Sequence, residues 1–157
     1  MHDSVQDFVE RIGLMMESEG LPRISGRIFG FLMVNEGAYS LDEIARELQV
    51  SKASVSTNAR QLEEHKFLER ISEPGDRRDY YRMRPDAWTQ ILREAQRRWE
   101  LFQVLFREGR ESLPAEMEMG RERLAEAERF HALMLARVDC LLEEWEKGEA
   151  ALAGGSE

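Results

Sequence analysis

The stretch Ser51-Lys52-Ala53-Ser54-Val55-Ser56-Thr57-Asn58-Ala59-Arg60-Gln61 sets hydroxyls, amides and two cations into three helical turns, with no carboxylate among them. At helical spacing Val55, Ala59 and Leu62 form an inward stripe. Lys52, Ser54, Thr57, Asn58 and Gln61 are expected opposite it, with Ala53, Ser56 and Arg60 at the flanks. Short polar side chains and amides carry the donors and acceptors that match base edges in a major groove, where carboxylates would repel phosphates. Glu63 and Glu64 are held to the last turn. The plainer reading is a solvated helix face, but Ser, Thr and Asn are mediocre helix formers and a poor choice for that purpose.

A second stretch carries related chemistry. Pro74-Gly75-Asp76-Arg77-Arg78 places two arginines at the tip of a hairpin, where guanidinium groups can bind phosphates or enter a minor groove. Asp76 is positioned to hold Arg78 by a charge-assisted bond and restrict its rotamers. Charge at a hairpin tip also resists edge aggregation, so the wing gains its meaning from the polar helix before it.

The surrounding elements supply a scaffold for these two stretches. Val5, Phe8, Val9, Ile12, Met15 and Met16 recur at helical spacing, and Gly20-Leu21-Pro22 breaks that first helix. A second helix from Pro22 to about Val34 buries Ile24, Ile28, Phe31 and Leu32, with Gly26 and Gly30 four apart to admit a neighbouring helix. Ser40-Leu41-Asp42-Glu43 is a capping box opening a short helix, after which Gln49-Val50 turns and Ser51 caps the next one. Phe67–Ile71 and Asp79–Arg84 alternate as strands around the Pro74-Gly75-Asp76 turn. Helix, tight turn, helix and hairpin is the order of a winged helix-turn-helix.

Beyond Trp88 the pattern is helical throughout. Trp88, Ile91, Ala95, Trp99, Phe102 and Phe106 share one face, Glu108 to Leu113 reads as an interruption, and Pro114 as a first-turn proline. Met117, Gly120, Leu124, Ala127, His131, Met134, Val138, Leu141 and Trp145 then form a seam of alternating three- and four-residue steps. The expected fold is mainly α with a small β-hairpin wing: a first helix over 1–20 contributing to dimerisation, a winged helix-turn-helix over 21–86, long dimerisation helices over 87–149 and a disordered tail over 150–157.

Composition narrows the function classes. The chain has a formal net charge of −9, but the acid sits at the two ends. Residues 23–84 hold eleven basic and ten acidic side chains. Phosphate attraction acts within a Debye length of roughly 8–10 Å, so the local face outweighs the total. No apolar run suits membrane insertion and no signal peptide is visible, so a cytoplasmic location is expected. His2, His65 and His131 show no close metal-ligand spacing with each other or with Cys140. No catalytic constellation, metal or cofactor is expected, and the chain reads as a non-enzyme.

Ser51-Lys52-Ala53-Ser54-Val55-Ser56-Thr57-Asn58-Ala59-Arg60, Phe67-Leu68-Glu69-Arg70 and Gly75-Asp76-Arg77-Arg78 with Tyr80-Tyr81 resemble the MarR superfamily. The likeness is closer to its GbsR-like branch, which includes actinobacterial repressors of membrane efflux and lipid-export systems; Gly26-Arg27-Ile28-Phe29-Gly30 is similar to that branch too. The resemblance implies a homodimer that binds a pseudo-palindromic double-stranded DNA operator, usually represses, and is released by a small, often hydrophobic ligand. It implies that Asp76 and Arg78 act together as the wing pair. Gln49 and Lys66 stand where such sequences commonly place glycine, and a left-handed backbone there would cost on the order of 1 kcal/mol.

The expected DNA-contacting set is Ser51, Lys52, Ser54, Ser56, Thr57, Asn58, Arg60, Gln61, Asp76, Arg77 and Arg78. An effector pocket is expected from Trp88, Trp99, Phe102, Phe106, Phe130 and Met134, with Met15 and Met16 nearby; the same residues also suit an ordinary core. His131 on the seam is either pH-sensitive or a polar residue that sets register, and Cys140 either a redox switch or a small partly buried residue. The rival function is a winged helix kept as a protein-interaction scaffold, which the acidic total favours.

Overall fold

The computed structural model describes residues 2–72 and 74–154, in two compact units, Met1–Ala87 and Trp88–Glu157. In the first unit α1 (Asp3–Ser18) and α2 (Arg23–Val34) are followed by β1 (Tyr39–Ser40), α3 (Leu41–Leu48), α4 (Lys52–Glu64), β2 (Leu68–Ser72) and β3 (Asp79–Met83). The two long helices are α5 (Ala87–Ser112) and α6 (Glu118–Gly154).

Helix α2 is the centre of the first unit. Seven of its residues, Ser25, Gly26, Ile28, Phe29, Gly30, Phe31 and Leu32, are buried, more than the one-sided stripe expected from spacing. Its glycines account for the extra face: a Cβ on Gly26 would lie 2.7 Å from the Ile12 carbonyl oxygen and 2.8 Å from Gly13 Cα. Backbone meets backbone there, and Val9 of α1 becomes fully buried against the core. Arg27 ties the same contact electrostatically, its Nε 2.7 Å from Glu10 Oε1 of α1, while Arg23 reaches Glu10 Oε2 at 2.9 Å.

Both helix-turn-helix joints use left-handed residues that are not glycine. Gln49 has φ 54° and Lys66 φ 65°. Each closes its helix by the same device: Val50 N–H donates to the Ala45 carbonyl at 3.0 Å, and Phe67 N–H to the Leu62 carbonyl at 3.0 Å. The strain anticipated at these two positions, about 1 kcal/mol each, is therefore present. At the other end of α3 the capping box is complete: Ser40 Oγ accepts from the Glu43 N–H, and Glu43 Oε2 accepts from the Ser40 N–H at 2.8 Å.

The sheet has three strands in the order β1-β3-β2, all antiparallel. Arg70 pairs with Tyr81, and Tyr81 pairs with Tyr39 on its other side. The two-residue β1 was absent from the sequence reading, since two residues carry no alternation to detect. Its Tyr39 packs edge-on to Phe31 of α2, ring centroids 5.0 Å apart.

In the second unit α5 and α6 form an antiparallel hairpin, with Thr89 near Trp145, Gln96 bonded to Asp139 and Arg110 to Glu128. Three sequence expectations change here. Helix α5 runs unbroken through Glu108 to Ser112. Pro114 lies in the turn, and α6 begins four residues later at Glu118. The tail expected from residue 150 is helical through Gly154, and 155–157 fall outside the described residues.

The middle of the seam along α6 packs against α5. Leu124 lies against Gly109, His131 against three α5 aromatic rings, and Val138 is buried. Leu101 and Leu105 on α5, Phe130 and Leu133 on α6, and Met117 and Leu141 of the seam itself stay exposed. Two helices alone cannot cover both faces of an apolar pair.

The α1–α2 approach makes a direct prediction. Gly26→Ala is expected to lower unfolding stability by about 2 kcal/mol, because the new Cβ meets backbone atoms that cannot rotate away. A urea-denaturation midpoint unchanged from the parent would contradict the close approach.

Candidate nucleic-acid interface

Helix α4 is held at both faces by contacts of different kinds. Ser51 Oγ caps it by accepting from the Ser54 N–H at 3.2 Å. Val55, Ala59 and Leu62 are fully buried, as the stripe required. Ser51, Lys52, Thr57 and Arg60 are exposed, and Ser54, Ser56 and Gln61 are half-buried. On the outer face the Thr57 hydroxyl donates to the Ala53 carbonyl at 3.2 Å, and Arg60 Nε to the Ser56 carbonyl at 3.2 Å.

Asn58 is the exception and corrects the sequence reading. It is 8% exposed, accepts from Ser25 Oγ at 2.8 Å and donates from Nδ2 to the Ser54 carbonyl at 2.7 Å. Ser25, itself buried on α2, also lies 3.5 Å from Gln61 Oε1. Asn58 therefore joins α4 to α2 and is unavailable to a base. The spacing contained the signal: Asn58 is three residues after Val55 and four before Leu62, on the inward stripe. Its partner Ser25 had no mark in the sequence.

The wing is a closed hydrogen-bonded knot. Asp76 accepts from the Arg78 backbone N–H at 2.9 Å, from Arg78 Nε at 2.9 Å and from the Tyr80 hydroxyl at 2.8 Å. The Arg78 terminal nitrogen donates to Asp76 at 2.6 Å and to the Tyr80 oxygen at 2.6 Å. The Arg78 side chain, then its backbone N–H and then Tyr80 hold the Asp76 carboxyl well below the usual carboxylate range. The same bonds, Asp76 first, raise Arg78 above its ordinary value. Tyr80, 6% exposed, anchors the knot to the sheet and was not among the expected site residues.

Wing and helix meet at a recess of about 230 Å³, lined by Asp42 and Lys52 on one side and by Arg77, Arg78 and Asp79 on the other. Lys52 Nζ donates to Asp42 Oδ2 at 2.8 Å on that first side. Glu43, whose pKa is lowered by its Ser40 side-chain and backbone hydrogen bonds, adds a fixed negative charge near Arg78. The structure thus brings Lys52 together with Arg77 and Arg78, leaves Ser51, Thr57 and Arg60 exposed on α4, and keeps Asn58 inside.

The expected effector-pocket residues divide. Trp88 lines an apolar groove of about 400 Å³ with Ile91, Leu92, Leu141 and Trp145. Trp99, Phe102, Phe106 and Phe130 instead gather around His131, centroids 4.9–5.4 Å away, with Trp99 and Phe106 half-buried and Phe102 and Phe130 exposed on their outer side. The His131 Nδ1 lies 2.7 Å from the Ala127 carbonyl. Met134 is half-buried on α6, and Met15 stands exposed on α1. Cys140 is exposed rather than partly buried. Among the described residues no helix is long and apolar enough to cross a membrane.

Two measurements test this geometry. Asn58→Ala is expected to cost about 2 kcal/mol in urea denaturation, since it strips a buried hydroxyl of its close partner. Ser25→Ala combined with it should cost less than the sum of the two single changes. For the wing, the carboxyl resonance of Asp76 should titrate below the ordinary value of about 3.9. A depressed folded value means the knot's contribution is full above that pH and is lost as pH falls through the folded midpoint. Tyr80→Phe should move the midpoint upward; an unmoved midpoint would remove Tyr80 from the knot.

Comparison with known proteins agrees with this architecture. Residues 19–79 match the model of the MarR family, and residues 86–149 that of MmpR5-like MarR family transcriptional regulators. A solved structure described as a transcriptional regulator superposes with a TM-score of 0.80 at 36% identity, covering 92% of this chain and 99% of that one. The HTH-type transcriptional regulator MmpR5 of Mycobacterium tuberculosis is 42% identical over 91 residues, 57% of this chain and 55% of its own length. The HTH-type transcriptional repressor OpcR of Bacillus subtilis is 25% identical over 87 residues, 55% of this chain and 47% of its own. The matches thus span about half the length of these curated relatives. With both units matched and the whole hairpin-and-wing architecture shared, the chain belongs to the MarR family of transcriptional regulators.

Proposed function

We propose that the chain acts in the cytoplasm as a homodimeric repressor that binds a pseudo-palindromic DNA operator and releases it on binding a small hydrophobic effector. The observation that carries this reading is the exposed face of α4. Lys52, Thr57 and Arg60 stand on a helix whose other side is buried, beside a wing whose Arg78 is fixed in place. Helix α4 enters the major groove, with Ser51, Ser54, Ser56 and Gln61 completing the contact surface. Asp76 positions Arg78, and Arg77 and Arg78 take backbone phosphates or the minor groove.

One such module reads few bases, so specific affinity needs two copies about one DNA turn, roughly 34 Å, apart. The exposed strip of Leu101, Leu105, Phe130, Leu133 and Leu141 and the exposed Leu14 and Met15 of α1 supply apolar surface for that pairing. The groove beside Trp88 and Trp145 suits an apolar effector. Control of an efflux or transport gene, and the GbsR-like branch to which Gly26-Arg27-Ile28-Phe29-Gly30 is similar, belong to the same reading.

Fluorescence anisotropy with the duplex upstream of the chain's own gene, run across a salt series, tests it. Arg77→Ala, which removes the wing cation that has no ion-pair partner among the described residues, should weaken operator and scrambled DNA alike and flatten the salt slope. Arg60→Ala should cost about 1–3 kcal/mol at the operator and little elsewhere. Absence of specific binding at low salt would overturn the proposal in favour of a winged-helix interaction scaffold.

A further inference from the structure

We propose that the recess between α4 and the wing is a subsite for one DNA backbone phosphodiester, held by Lys52 and Arg77, and that Asp42 is its built-in competitor, setting how tightly any DNA is bound. The inference rests on the proposed DNA reading and concerns a residue outside the reading face. Lys52 is the first residue of α4, and its ammonium is engaged by Asp42 Oδ2 at 2.8 Å. Both side chains are half-exposed, 56% and 55%, so water and salt screen the pair and it exchanges readily. Arg77 stands exposed at the same recess, presented by the wing. A phosphate entering there meets cations from two elements that a groove-bound helix and wing bring to one strand of the duplex.

Asp42 changes the electrostatics of that encounter. A lysine that is unpaired in the unbound protein releases counterions from DNA when it meets a phosphate, and each such contact adds about 0.9 to the salt slope. Here the lysine already holds a carboxylate. Phosphate must displace Asp42 and then lie beside it, so like charges oppose the contact. The penalty is independent of base sequence, because only the backbone is involved. It lowers affinity for all DNA together and leaves operator preference to the α4 face. Asp42 has no part in closing the capping box, which uses Ser40 and Glu43; the positive end of the α3 dipole favours its charge in the first turn, and from there its carboxylate reaches Lys52.

The test is a double-variant cycle by fluorescence anisotropy on a labelled duplex from upstream of the gene and a scrambled duplex of equal composition. Asp42→Asn should tighten both duplexes by a similar factor, about fivefold at low salt, and steepen the salt slope by about one unit. Asp42→Ser should do the same, which separates the effect from any peculiarity of the amide. In a Lys52→Ala background Asp42→Asn should change neither affinity nor slope. Equal tightening in that background would assign the effect to overall charge and overturn the pairing. Unchanged or weaker binding by both Asp42 variants, with thermal unfolding confirming that they are folded, would overturn the competitor role while leaving DNA binding intact. A parent protein that binds neither duplex at low salt would instead sink the DNA reading itself, and this inference with it.

Discussion

The contact on which the rest of the first unit depends is the backbone-to-backbone approach of α1 and α2 at Gly13 and Gly26. With 2.7–2.8 Å between the position of a Gly26 Cβ and the opposing backbone, α1 covers a face of α2 that any larger residue would hold open. Helix α2 is then enclosed by α1 on that side and by α3, α4 and the sheet on others. Because α2 is fixed, it becomes the wall against which α4 sets its angle, through Val55, Ala59 and Leu62 and through the Ser25–Asn58 hydrogen bond. A polar pair in an apolar interface adds little net stability, since folding exchanges it for water, but it penalises every rotation of α4 that breaks it. Dispersion and area burial set the distance of the helix; this bond sets its rotation.

Arg27 extends the arrangement to the helix-turn-helix joint. Its guanidinium bonds the Leu48 carbonyl at 2.8 Å, one residue before the left-handed Gln49, while its Nε faces Glu10 of α1. A cation on the last carbonyls of a helix is favoured by the dipole as well as by the hydrogen bond. That contact helps keep a non-glycine residue at positive φ, and Lys66 repeats the conformation after α4 with the same backbone closure. The strained joints persist because the helices on either side are held elsewhere.

The parts of this architecture that were legible in the sequence are those encoded locally. The Ser40–Glu43 box, the Ser51 cap, the hairpin turn and the Asp76–Arg78 bond each involve residues within four positions of one another, and each is found where spacing put it. What is not legible there depends on relations between distant residues. Asn58, an amide among hydroxyls, suits a base edge by residue type, yet its step from Val55 places it inward, and only Ser25, 33 residues earlier, explains its burial. Along α6 periodicity alone cannot say which helix fills the grooves facing the seam. In the structure α5 fills those around His131 with Trp99, Phe102 and Phe106, while Met117 and Leu141 of the seam stay exposed. The strand Tyr39–Ser40 was too short to leave any pattern.

Charge at the proposed interface follows from the same local geometry and explains how an acidic chain suits an anionic partner. Of the four cations presented there, Lys52 is engaged by Asp42 and Arg78 by Asp76, leaving Arg60 and Arg77 without an ion-pair partner among the described residues. Each engaged cation keeps its hydrogen-bonding direction while losing most of its long-range field, because a neighbouring carboxylate cancels it beyond a few ångströms. Arg78 illustrates the exchange most clearly: bonded to Asp76 and Tyr80, it is a fixed donor and only weakly an attractor. A surface built this way gains little from the diffuse attraction that holds basic proteins to any duplex. Its affinity must come from donors and acceptors already aimed before contact. The packing of α2 and the Tyr80-anchored wing supply that aim, so the rigidity of the scaffold and the modest charge of the interface are two sides of one arrangement.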